Sequence, residues 1–140
     1  MEILAKDLII IGGSAAAVSA AIYAARSNLN VHIITKDIGG QIAITNEIGN
    51  YPGFSTINGI ELTKEFKKHL DFYNIKMEDG IEVVNVSGRS GDFKIEAKKG
   101  EKFLEYRSGI VLAATGVRHK HLGVPGEEKF YQKGVSYCTN

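Results

Sequence analysis

The sequence predicts an α/β domain: a parallel sheet flanked by helices, with an antiparallel β-meander inserted in it. Three observations carry this expectation. Leu8-Ile9-Ile10-Ile11 is an apolar run without alternation, the pattern of a central parallel strand buried on both faces. It passes through the small residues Gly12-Gly13-Ser14-Ala15-Ala16-Ala17 into an alanine-rich segment, and then into the second apolar run Val31-His32-Ile33-Ile34. Between Ile81 and Tyr106 the apolar period becomes two, before a buried run returns at Gly109 to Gly116.

Taken in order, the first strand, turn, helix and second strand make a βαβ unit. Val18, Ile22 and Ala25 recur at i, i+4 and i+7, which gives the helix one apolar stripe. The turn reads as a form of the dinucleotide fingerprint G-x-G-x-x-G/A. Gly12 makes the bend, and Ala17 stands at the third position, where helix and strand pack closely. Ser14 replaces the second glycine; it narrows the approach of a phosphate, or its hydroxyl donates to one. The unpaired N–H groups and the dipole of the following helix suit a pyrophosphate. The same turn also serves a helix that packs on a sheet and binds nothing.

Gly39-Gly40-Gln41 offers a backbone that a flat ligand can approach. Asp37 stands near the end of the second strand. It is placed either to bind a ribose hydroxyl or to remain a solvated loop carboxylate. The turn-rich loop Asn46 to Phe54 holds Tyr51 and Phe54, which face either the core or a ligand. A helix is expected over Ile60 to Tyr73, with Leu62, Phe66, Leu70 and Tyr73 inside, Lys64, Lys67, Lys68 and Asp71 outside, and Asn58-Gly59 at its start. His69 reads as a surface histidine. The meander follows as three strands, marked by Ile81, Val83 and Val86, by Phe93, Ile95 and Ala97, and by Phe103 and Leu104. A separate strand, Ile110 to Ala114, should rejoin the parallel sheet beside the first. His119 and His121 are two residues apart, but no third ligand accompanies them, so no metal site is expected.

Composition excludes several classes. The chain has 140 residues, enough for one domain with a core. Its net charge of +1 gives no electrostatic case for nucleic acid or an anionic membrane. No apolar run approaches a membrane span. Glu2 and the early glycines do not fit a signal peptide, so the default compartment is the cytoplasm. Cys138 is the only cysteine, which rules out a disulfide within these residues.

With those pieces in order, the chain resembles the N-terminal part of the low-molecular-weight thioredoxin reductases, and the matching part of the alkyl hydroperoxide reductase flavoprotein. The carriers are the Gly12 turn, Gly39-Gly40-Gln41, Ile48-Gly49-Asn50-Tyr51-Pro52-Gly53-Phe54, Ala114-Thr115-Gly116 and Gly134-Val135-Ser136-Tyr137-Cys138. The resemblance implies a Rossmann-like FAD-binding domain over 1–117, lacking its C-terminal closing segment. Residues 118–140 would be a linker and the start of a truncated domain for NADPH and the redox cysteines. It implies FAD contacts from Gly12, Ser14, Ala15, Ala17, Gly40, Gln41, Asn50, Thr115 and Gly116, with the backbone at Val83 reaching the adenine. Cys138 matches the first cysteine of a catalytic Cys-x-x-Cys, and Thr139-Asn140 match the spacers.

The implied activity is NADPH-dependent reduction of a disulfide on thioredoxin or another redox protein, with a homodimer compatible with it. The alternative is a non-catalytic flavin-binding or assembly module completed by another chain. A lone Cys138 is expected to be inert, so the 140 residues alone should lack reductase activity.

Overall fold

A computed structural model describes residues 4–118 and 120–137. The parallel part of the sheet is built from β1 (Leu4–Ile11), β2 (Val31–Ile34), β3 (Lys76–Glu78) and the end of β6 (Lys102–Ala113). The meander adds β4 (Glu82–Arg89) and β5 (Asp92–Lys99), and the order across the six-stranded sheet is β3-β2-β1-β6-β5-β4. Helices α1 (Ala15–Arg26) and α2 (Gly59–Phe72) follow β1 and precede β3, and a short α3 (Glu127–Phe130) lies near the end. No described helix is long and apolar enough to cross a membrane.

Alternation along β1 and β2 divides the core in two. Leu8, Ile10, Val31 and Ile33 face α1 and α2, where they meet Val18, Leu62, Phe66 and Leu70. Ile9 and Ile34 face the other way, against Ile81, Ile95, Ala97 and Tyr106 of the meander. Helices therefore cover one face and the meander the other, which is why β1 shows no polar alternation. Burial of each such isoleucine contributes about 1.5–3 kcal/mol. The stripe of α1 is centred on Ala17, Val18 and Ala21, with Ile22 and Ala25 at its margin. Helix α2 starts as expected: Asn58 Oδ1 accepts from Glu61 N at 2.8 Å.

Two expectations are corrected. The third meander strand and the returning strand are one element, β6. It pairs antiparallel with β5 from Lys102 to Ser108 and parallel with β1 from Tyr106 to Ala113. Ser108 and Gly109 lie within it; Ser108 Oγ donates to the Ile110 carbonyl at 2.6 Å. The expected pairing of Ile110 to Ala114 with the first strand does hold, with Leu8 opposite Ile110 and Ile11 opposite Ala113. Ile81 also falls just outside β4. The three-residue step from Val83 to Val86 comes from an irregularity: the register shifts between Val83 and Asn85, which returns both valines to one face.

His32 is a polar side chain inside the core. It is 2% exposed, with Nε2 2.7 Å from Glu78 Oε1, while Nδ1 has no partner among the described residues. Tyr106 donates to Glu78 Oε2 at 3.3 Å, and burial beside that carboxylate pushes its hydroxyl up to about 12. Burial lowers the pKa of His32, with Lys6 and Lys76 adding to the effect and Glu78 opposing it. The folded state thus holds His32 neutral where the unfolded chain, with the ordinary value of 6.5, takes up a proton. Its contribution to stability is whole above pH 6.5 and declines as pH falls below it, by at most about 1.4 kcal/mol per pH unit. His32→Gln should flatten that acid limb in urea melts between about pH 7 and 5. An unchanged slope would show that His32 does not set it.

Candidate functional site

The C-terminal ends of β1, β2 and β6 open on a cleft of about 950 Å³. Open α/β sheets bind ligands at this end. The Gly12–Ser14 turn makes its floor. Gly12 has φ +129, and its N–H donates to the Ile34 carbonyl at 2.9 Å. Ala114 N donates to the Ile11 carbonyl at 2.8 Å, so the ends of β1, β2 and β6 are tied together under the turn. Gly13 is equally constrained: a Cβ there would lie 2.7 Å from Thr35 Oγ1 and 2.9 Å from the Asp37 carbonyl.

Helix α1 begins immediately above this floor. Its N-cap Ser14 makes no side-chain cap hydrogen bond, and no acidic residue stands in the first turn. Neither an N-cap side chain nor a first-turn carboxylate therefore satisfies the first N–H groups of the helix, whose N-cap Ser14 lines the cleft. A bound anion is one partner that can satisfy them. Ser14 faces Gly40 across the cleft, with Ser14 Cβ 3.6 Å from where a Gly40 Cβ would stand.

Residues Gly40–Ile42 form a 3-10 turn after Gly39, whose N–H donates to the Gly13 carbonyl at 2.8 Å. This turn is clamped against α2. A Cβ on Gly39 would come 2.5 Å from Thr63 Oγ1 of α2, and one on Gly59 would overlap the Ile42 carbonyl oxygen. The sequence does not reveal this constraint on Gly59, which reads only as a helix start. The aromatic loop is pinned to the core: Tyr51 packs at a tilt against Phe66, ring centroids 5.6 Å apart, and Ile48 forms a β-bridge with Ile57 just beyond it.

Of the expected contacts, Gly12, Ser14, Asp37, Gly40, Gln41, Val83, Thr115 and Gly116 line the cleft together. Ala15 is the first residue of α1, and Ala17 is fully buried between helix and sheet. Asn50 is exposed, outside the lining. Cys138, with Thr139 and Asn140, lies outside the described residues, as does His119. Thr35, Lys36, Glu82 and Arg118 also line the cleft, although no motif marks them in the sequence. Thr35 is buried, and its hydroxyl donates to the Asp37 carbonyl at 2.7 Å, fixing the bend after β2. No group of three metal-ligating side chains occurs among the described residues.

Beyond the cleft, Glu127 knots the following segment. Its carboxylate accepts from Leu122 N at 2.8 Å and Gly123 N at 2.6 Å. Burial alone would raise its pKa, but the N–H groups of Leu122, Gly123 and Val124, with the charge of His121, hold it below the usual value. His121 Nδ1 lies 3.4 Å from Glu127 Oε1 and 3.3 Å from the Tyr137 hydroxyl.

Comparison with known proteins agrees with this geometry. Residues 6–140 match the family described as pyridine nucleotide-disulphide oxidoreductase. A thioredoxin reductase of Bacillus subtilis is 38% identical over 134 residues, which cover 95% of this chain and 41% of that protein. An alkyl hydroperoxide reductase component of Staphylococcus aureus is 34% identical, over 96% of this chain and 26% of its own length. The crystal structure of T. acidophilum thioredoxin reductase superposes with a TM-score of 0.78 at 41% identity, covering 96% of this chain and 43% of that one. The chain thus spans less than half the length of these relatives.

Proposed function

The chain belongs to the pyridine nucleotide-disulphide oxidoreductase family, and from that premise we propose that its cleft binds the ADP part of FAD. On this reading it forms the FAD-binding portion of an NADPH-dependent flavoprotein disulfide oxidoreductase resembling thioredoxin-disulfide reductase. One observation carries the reading: the uncapped N-terminus of α1 opens onto the cleft floor. The first-turn N–H groups of Ala15 to Ala17 are suited to the pyrophosphate, and Gly12 lets the backbone pass close beneath it. Gly40 and Gln41, with Asn50, take the flavin side; Asp37 takes the ribose, and the backbone at Val83 the adenine. Thr115 and Gly116 complete the wall. Ala17 acts by packing, since it is fully buried.

Bound FAD would supply two-electron transfer between a nicotinamide donor and a disulfide. Residues 1–117 would form the FAD domain, and 118–140 the linker into the NADPH and redox-cysteine domain. Cys138 would be the attacking thiolate, with the second cysteine of a Cys-x-x-Cys resolving the mixed disulfide. The names of the relatives support a thioredoxin-like or other redox protein as partner; a homodimer and a cytoplasmic location, where thiols stay reduced, belong to the same proposal.

The test uses a protein in which this segment is followed by a second cysteine and an NADPH domain, the arrangement the reading requires. Anaerobic NADPH should bleach its flavin and cleave a disulfide dye. Cys138→Ser should keep the bleaching and lose the dye cleavage by about a thousandfold. Dye cleavage that survives the substitution would remove Cys138 from the mechanism; absence of bleaching in the unsubstituted protein would favour the non-catalytic module.

A further inference from the structure

Four charged side chains stand on the rim of the cleft, and the FAD reading uses only Asp37 among them. Lys36 Nζ lies 2.9 Å from Glu82 Oε1, and Arg118 Nη2 lies 3.7 Å from Asp37 Oδ2. All four residues line the cleft, although they come from the end of β2, the start of β4 and the segment after β6. Their side chains are between 51% and 72% exposed, so as ion pairs they contribute little to folding. The two pairs are not independent. The hydrogen bond and charge of Lys36 hold Glu82 below the usual carboxylate range, and the charge of Arg118 acts in the same direction.

We infer that Lys36 and Arg118 are charge-balancing cations of this cleft, which offset the carboxylates of Glu82 and Asp37 so that a pyrophosphate is admitted. The inference rests on the FAD reading above. Two cations against two carboxylates leave the rim neutral. Removing either cation leaves one unbalanced negative charge on a site that must take a dianion. The sequence also supplies a reason for needing such balance. Ser14 stands where the fingerprint has a bare glycine, so backbone approach to the phosphate is narrowed and the surrounding field carries more weight. Because the charges are exposed, the effect acts through solvent and is sensitive to salt.

The experiment compares FAD and ADP affinities of the chain and its variants at low and high salt, followed by flavin fluorescence and by calorimetry. Lys36→Gln and Arg118→Gln should each weaken both ligands about three- to tenfold at low salt, and much less at high salt. Arg118→Lys keeps the charge and should bind within about twofold of the unsubstituted chain. Lys36→Gln combined with Glu82→Gln restores neutrality and should recover most of the loss. The inference is overturned if the single variants bind like the parent, if the loss is the same at high salt, or if the charge-balanced double variant stays as weak as Lys36→Gln. A parent chain that binds neither FAD nor ADP overturns the cofactor reading itself, and this inference with it.

Discussion

Gly12→Ala is expected to strip the chain of FAD and to lower its unfolding free energy by about 3 kcal/mol or more. Two independent costs combine. The residue has φ +129, a conformation that side chains with a Cβ rarely adopt. A Cβ would also overlap the backbone carbonyl oxygen of Ala114, which is no flexible side-chain tip. Relief requires moving the end of β6 away from β1, against the Ala114 N to Ile11 carbonyl bond and the Gly12 N to Ile34 carbonyl bond. Those bonds form the cleft floor, so the fold and the site are lost together. Gly53→Ala is the control. Its φ is +101, but nothing lies within 4 Å of the added carbon, so the backbone strain stands alone at about 1 kcal/mol. Urea melts and retained flavin read both effects. A Gly12→Ala chain with normal flavin content would contradict the placement of the pyrophosphate. Gly12→Asp should lose flavin at least as completely, because it adds a negative charge to the same overlap.

Gly59→Ala should produce the second large loss, and there helix propensity and packing point in opposite directions. Gly59 opens α2, where alanine is favoured over glycine by up to about 1 kcal/mol. In isolation the substitution would therefore stabilise the helix. Here the new carbon would overlap the Ile42 carbonyl oxygen and stand 2.9 Å from the Thr45 carbonyl, while Gly59 N already donates to that Thr45 oxygen at 2.9 Å. The 3-10 turn Gly40–Ile42 must move outward, and with it the Gln41 side of the cleft. We expect a net destabilisation of about 2 kcal/mol and FAD binding weakened at least tenfold. ADP, which does not reach the flavin side, should lose much less. Equal losses for FAD and ADP would show that the turn does not form the flavin wall.

Sequence pattern reveals what is local and apolar. The β1 run, the small-residue turn, β2, the spacing of α2 and the return of Ile110 to Ala113 beside β1 all follow from buried periodicity. β3 escapes it, because Lys76-Met77-Glu78 is short, polar at both ends and lies at the sheet edge. β6 reads as two strands because it changes partner along its length, from β5 to β1, so no single period runs through it. Polarity conceals the core role of His32; burial is tolerated because Glu78, from the adjacent strand, supplies a partner. In the site, the glycine turn and Thr115-Gly116 are legible as motifs. The rim charges are not, since Lys36, Glu82 and Arg118 meet only through the topology of three strands. The constraint on Gly59 is equally hidden, because it comes from a turn that folds back from residue 42.

Equilibrium titration of the chain with FAD, with ADP as competitor, tests the central claim most directly. A cleft that holds the ADP part of FAD predicts saturable binding of one FAD per chain, displacement by ADP, and loss of both in Gly12→Ala variants that remain folded under ligand-free conditions in added osmolyte. FAD that binds but is not displaced by ADP would contradict the assignment of the α1 N-terminus to the pyrophosphate.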